Sequence, residues 1–231
     1  MTVLIEILNI IGVISFAAAG AMIAIDKEAD IFGVLFLSVV TCFGGGMLRD
    51  TMISNELPRF FTLLWPDVII CLATALSVFI AARAFKEKYV KNEDTVNNIN
   101  NVLDAIGLGI FASGGTQICI ALDLGAFTAV IMGMLSAVGG GMLRDIILRD
   151  IPFILRKRIY AVAALGGSAV YYVSSLLFSD SKSREVVSTL LCLGFIFVVR
   201  MCATYLKWKL PKAIVFSEIE NREEVKETIK K

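Results

Sequence analysis

Two arginine–aspartate neighbours carry the most suggestive chemistry in this chain. Arg49-Asp50 and Arg144-Asp145 each follow a glycine triplet, Gly44-Gly45-Gly46 and Gly139-Gly140-Gly141, in the shared heptad Gly-Gly-Gly-Met-Leu-Arg-Asp, and the two copies lie 95 residues apart. Both sit in strongly apolar surroundings, where an ionisable side chain faces a partner or a wet cavity rather than hydrocarbon. A guanidinium can hold an anion or a carboxylate; a carboxylate can hold a cation. Two further polar residues, Asp104 and Asn9, are mates at the same offset, each set at the edge of an apolar run. Asp104 also suits a helix N-terminus. Adjacent helical residues do not face each other, so the spacing predicts that Arg49 and Arg144 pair across the repeat or with another helix. The alternative is that both snorkel to the membrane interface. Arg200 remains open between a cavity and snorkelling.

Catalysis is poorly served. The chain has no histidine, its five cysteines form no CxxC pair, and no nucleophile stands beside a base. The cysteines read as small buried hydrophobes. We therefore expect neither an enzyme nor a bound cofactor. A net charge of +1 gives no footprint for nucleic acid.

The elements that must position these residues are membrane helices. Of 231 residues, 57% are hydrophobic, above the roughly 45–50% of soluble domains, and the excess lies in runs of the ~20 residues needed to cross a bilayer. Seven segments are expected: about 3–25, 31–54, 66–85, 102–122, 125–148, 159–178 and 185–208, the fourth with 96–101 as its polar first turn. The polar stretch 86–101 divides two halves, and 211–231 is a charged tail. Together 1–210 form one transmembrane domain.

The halves repeat. At the offset of 95, Leu8 meets Leu103, Gly12 meets Gly107, Phe16-Ala17 meets Phe111-Ala112 and Gly20 meets Gly115. Segments one to three match four to six, over about 3–85 and 98–178, and the seventh has no mate. Three crossings is an odd number, so the second half enters from the opposite face, an inverted repeat of the kind found in transport proteins. Lys27, Arg83, Lys86, Lys88, Lys91, Arg149, Arg156, Lys157, Arg158, Lys207, Lys209 and Lys212 fall on one side, against Arg59, Lys182 and Arg184 on the other. The richer side is predicted to be cytoplasmic, with the N-terminus outside and the C-terminus inside.

Three consecutive glycines weaken a helix by about 3 kcal/mol against alanine. The spacing therefore predicts that segments two and five break at Gly44–Gly46 and Gly139–Gly141, inside the membrane and one on each side of its midplane. Freed carbonyls and N–H groups would then line a watery route. The alternative is that the glycines serve close helix packing. Carbonyls and carboxylates favour cations, while half-helix N-termini and arginines favour anions, so the residues leave the sign of the permeant species open.

These paired motifs, the Phe-Ala-x-x-Gly element in each half and the three-plus-three-plus-one count resemble the prokaryotic branch of the trimeric intracellular cation (TRIC) channel family, a bacterial domain that also carries a glycine-transporter label. The resemblance spans about residues 3–208. It implies a homotrimer in the prokaryotic inner membrane, each subunit with its own pore, with the second and fifth helices kinked at the glycine motifs. It implies conduction of monovalent cations, K+ and Na+, with a transient cation near the glycines, or else transport of a small zwitterion such as glycine. Permeation residues by this reading are Gly44, Gly45, Gly46, Arg49, Asp50, Gly139, Gly140, Gly141, Arg144, Asp145, Asp104 and Asn9. Asn9 stands where the family often carries an acidic residue. The lysine-glutamate-valine element of the animal members has no match, so their phosphoinositide and calcium-store regulation is not implied.

Overall fold

The computed structural model describes residues 3–54, 56–62, 65–156, 159–178, 181–206 and 208. The expected tail 211–231, and Lys157, Arg158, Lys207, Lys209 and Lys212 of the charge count, lie outside the described residues. The chain is helical: α1 (Val3–Asp26), α2 (Ile31–Ile53), α3 (Arg59–Thr62), α4 (Trp65–Ala84), α5 (Lys86–Lys91), α6 (Glu93–Ala121), α7 (Gly125–Ile147), α8 (Phe153–Arg156), α9 (Tyr160–Leu177) and α10 (Ser181–Tyr205). Among the described residues, seven helices are long and apolar enough to cross a membrane: α1, α2, α4, α6, α7, α9 and α10.

The segments read from the sequence correspond to these seven. The polar stretch that was expected to separate the halves is itself helical, because Asn92 ends α5 and α6 begins at Glu93, well before its apolar part. The short helices α3 and α8 were not foreseen.

The repeat is visible in the packing. Helix α1 packs against α2 and α4, and its mate α6 packs against α7 and α9. The two halves join through α1 on α6 and α2 on α7. Phe16 and its mate Phe111 stack face to face, with ring centroids 5.0 Å apart and an interplanar angle of 11°. The unmated α10 lies along α6 and α9.

Neither triplet breaks its helix. Helices α2 and α7 run uninterrupted through Gly44–Gly46 and Gly139–Gly141, and the expected breaks are not seen there. Nor do the triplets sit at two depths. The helices are antiparallel, and the triplets meet each other: a Cβ built on Gly44 would stand 3.3 Å from the Gly140 Cα, and one on Gly139 would stand 2.9 Å from the Gly45 Cα. A pseudo-two-fold axis between antiparallel mates brings equivalent residues to one crossing. A Cβ on Gly45 would collide with the Ser136 carbonyl oxygen, and one on Gly140 with that of Thr41, the repeat mate of Ser136. The packing alternative explains the glycines. Their intrinsic helix penalty is offset by dispersion between backbones that only small residues allow to approach.

The third glycine of each triplet differs. At Gly46 the nearest atom to an added Cβ is 3.7 Å away, and at Gly141 it is 3.5 Å away. Gly45→Ala and Gly140→Ala should each destabilise the fold by about 1–3 kcal/mol, the usual range for overpacking, whereas Gly46→Ala and Gly141→Ala should leave it unchanged or slightly firmer. Thermal unfolding in detergent measures the contrast; equal melting temperatures for all four variants would refute the packing account.

Candidate functional site

Beyond the crossing, each helix carries its arginine. Helical side chains lean toward the N-terminus, so Arg49 folds back over Gly46 and Arg144 over Gly141. Each guanidinium lies over the third glycine, with Nη2 3.7 Å and 3.5 Å from the respective Cβ position, in ordinary van der Waals contact. At 1.5 Å rise per residue, each arginine stands roughly 6–7 Å past the crossing. Because the helices are antiparallel, the two stand on opposite sides of it.

Each arginine is paired with its own neighbour, contrary to the expectation from facing rules. Arg49 donates from Nε and Nη2 to Asp50 Oδ1, at 2.8 and 2.6 Å. Arg144 does the same to Asp145 Oδ1, at 2.9 and 2.8 Å. The facing rule concerns Cβ directions; a five-atom side chain that wraps around the helix escapes it. The snorkelling alternative also fails, since Arg49 and Arg144 are 7% and 0% exposed. Among the described residues the expected cross-repeat partner is present for Arg49, whose Nη1 donates to Ser136 Oγ on α7 at 3.3 Å. Arg144 Nη1 is buried without a hydrogen-bond partner among the described residues, and its guanidinium stands 5.6 Å over the Phe153 ring.

The second carboxylate oxygen does separate work. Asp50 Oδ2 accepts the Arg59 N–H at 3.0 Å, and Asp145 Oδ2 accepts the Phe153 N–H at 2.8 Å. Arg59 and Phe153 open α3 and α8, whose first N–H groups have no partner within the helix. The aspartate thus ties the chain back onto the helix it has just left, in both halves.

Asp104 is buried on α6 and holds two partners. Tyr160 of α9 donates its hydroxyl to Oδ1 at 3.2 Å, and Arg200 of α10 donates from Nη2 to Oδ2 at 3.1 Å. The Arg200 guanidinium lies 4.7 Å over the Tyr160 ring. Arg200, which the sequence left open, is therefore a buried partner rather than a snorkelling cation. Its mate-side counterpart is different: Asn9 Nδ2 donates to Asp67 Oδ2 at 3.1 Å, at a partly buried position on α4. Tyr160 and Asp67 were not picked out from the sequence. The offset does carry a signal for Tyr160, whose mate is Trp65; Asp67 pairs with Val162 and gives none.

A cavity of about 280 Å³ opens at the end of the bundle where α1 and α7 finish. Asn97, Asn100, Asp26 and Asp145 line it, and Lys27 and Asp150, paired at 2.7 Å, stand at its edge. Asp26 also accepts the Tyr89 hydroxyl at 3.2 Å. Burial pushes the Tyr89 phenol well above its usual range, and the Asp26 carboxylate adds to this, so Tyr89 stays protonated as the donor. Among the described residues, no group of histidine, cysteine or acidic side chains has metal-ligand geometry.

The same arrangement of helices occurs in solved proteins. A family profile described as "Glycine transporter" matches residues 6–83 and 101–175. The UPF0126 inner membrane protein YadS of Escherichia coli is 33% identical over 210 residues, 88% of this chain and 93% of its own. A TRIC cation channel solved to explain conductance superposes with a TM-score of 0.78 at 33% identity, over 93% of this chain and 98% of that one. The chain belongs to the TRIC family. A prokaryotic TRIC channel crystallised in 0.5 M KCl matches with a TM-score of 0.77 at 27% identity, covering 91% of this chain and all of that one. Within this family, the present member is a multi-pass membrane protein with both glycine motifs at one helix crossing.

Breaking a buried ion pair leaves a charge uncompensated and costs about 3–5 kcal/mol. Arg144→Met should therefore unfold at a markedly lower temperature than the parent, and Arg144→Met combined with Asp145→Asn should recover part of the loss. A double variant no more stable than Arg144→Met would show that the pair is not energetically coupled.

Proposed function

We propose that this chain is a potassium-permeable monovalent cation channel of the prokaryotic inner membrane, acting as a homotrimer in which each subunit carries its own route along the α2–α7 crossing. The observation that carries the reading is the likeness, over nearly the whole chain, to solved TRIC cation channels. The site's electrostatics agree with it. Each guanidinium at the crossing is balanced by its own aspartate, so no uncompensated positive charge stands there to repel a cation. The cavity at the Lys27 end is lined by Asp26 and Asp145, and there Lys27 is paired with Asp150.

In this reading Gly44–Gly46 and Gly139–Gly141 set the constriction by drawing the two helices together. Arg49 with Asp50 and Arg144 with Asp145 stand at its two ends. Asn9 and Asp104 are the polar side chains at equivalent levels of α1 and α6. The N-terminus lies outside and the C-terminus inside, residues 1–210 form the membrane domain, and 211–231 form a cytoplasmic tail.

A second reading, transport of a small zwitterion such as glycine, is favoured by the description of the family profile and by guanidiniums that match a carboxylate. The two readings part in planar bilayers. Under a potassium chloride gradient, a cation channel gives unitary steps with a reversal potential close to the potassium equilibrium value. Smooth, saturable glycine uptake with competition by unlabelled glycine, and no steps, would replace it with the second reading. Orientation is tested separately. Lys86→Cys should react with an impermeant thiol reagent only in inside-out vesicles, and Glu185→Cys only in right-side-out ones; the opposite pattern would invert the proposed topology.

A further inference from the structure

Three buried arginine–aspartate pairs are described, and they are not equivalent. Arg49 and Arg144 each place two nitrogens on one carboxylate oxygen, at 2.6–2.9 Å. Arg200 makes a single contact with Asp104, at 3.1 Å, and its Nε is buried with no partner among the described residues. Both members are nearly inaccessible, at 4% and 6% exposure. The looser pair is also the one that departs from the repeat. Arg200 comes from α10, which has no mate, and the slot equivalent to Asp104 holds the neutral Asn9, bonded to Asp67. One half therefore carries a buried carboxylate whose counter-charge is supplied by a helix outside the repeat.

We propose that Arg200 is a tethered cation that fills the Asp104 site in place of a permeant monovalent cation, so that withdrawal of Arg200 turns Asp104 into an ion-binding position. The reasoning is one of competition for the same oxygens. With Tyr160 on one oxygen and the Arg200 guanidinium on the other, Asp104 is already neutralised, and a cation at its remaining lone pairs would stand beside a positive charge. Removing the guanidinium leaves a buried negative charge, which is costly until a cation replaces it. A one-bond pair with a spare donor is easier to open than the two-bond pairs at the crossing. The role in conduction rests on the channel reading above; the ion-binding claim does not.

The test uses the full-length protein, with Arg200→Gln, Tyr160→Phe, and Arg200→Gln combined with Asp104→Asn. Each is melted in detergent in potassium chloride and in N-methyl-D-glucamine chloride. Arg200→Gln should melt about 2–4 °C higher in potassium, the shift expected of a modest ligand on a chain of this size. The parent and the double variant should show no difference between the two salts. In bilayers, Arg200→Gln should pass a larger unitary potassium current than the parent. An Arg200→Gln protein with the same melting temperature in both salts would overturn the inference, even if the parent conducts. Tyr160→Phe, which keeps Arg200 on Asp104, should show no difference between the two salts. If Arg200→Gln assembles in neither salt while the double variant assembles, potassium has failed to replace the guanidinium and the inference is equally overturned. A parent without currents and an Arg200→Gln variant stabilised by potassium would dismiss the channel reading and keep the site.

Discussion

Backbone meets backbone where α2 crosses α7, and the rest of the molecule is arranged around that approach. Gly45 lies against the Ser136 carbonyl and Gly140 against the Thr41 carbonyl, so neither position tolerates even a methyl group. In a membrane, apolar side chains gain little by leaving lipid for protein, and association depends on contact area between closely fitting surfaces. Four small residues, two from each helix, supply that fit. The crossing then fixes the separation of the halves, and with it the places where the buried charges stand.

Those charges are accommodated by a local device. Neighbouring residues on a helix do not face each other, yet each guanidinium folds back over the third glycine and reaches the aspartate beside it. The aspartate receives it on one oxygen and spends the other on the first N–H of a short helix, α3 or α8. One heptad therefore performs three tasks in sequence order: it packs the crossing, neutralises a buried cation and turns the chain. Its duplication gives the two sides of the crossing matching chemistry.

Departures from symmetry include α10 with Arg200, Asn9 on α1 where the other half carries Asp104, and Asp67 as the carboxylate that Asn9 finds. The Lys27–Asp150 pair likewise has no mate, since the equivalent positions are Leu122 and Asn55. An inverted repeat with identical halves would present the same surface to both faces of the membrane. Together with the lysines and arginines gathered on one side, these substitutions make the two ends electrostatically different.

The sequence by itself determined the class of molecule. Length and continuity of the apolar runs set the seven crossings, and the offset of 95 residues set the repeat and its inversion, because an odd number of spans reverses direction. It also singled out the heptads, Asp104, Asn9 and the ambiguous Arg200. Tertiary structure decided what these residues do. Helix propensity argued for breaks at the glycines, and packing overrode it, because a helix interior loses about 1 kcal/mol per glycine while the close approach of two helices returns dispersion along the whole contact. Side-chain facing rules argued against an Arg49–Asp50 pair, and the guanidinium's reach overrode them. The partners of Asp104, on α9 and α10, are 56 and 96 residues away. No periodicity encodes such distances; only the packing of α6 against both helices brings Tyr160 and Arg200 to one carboxylate.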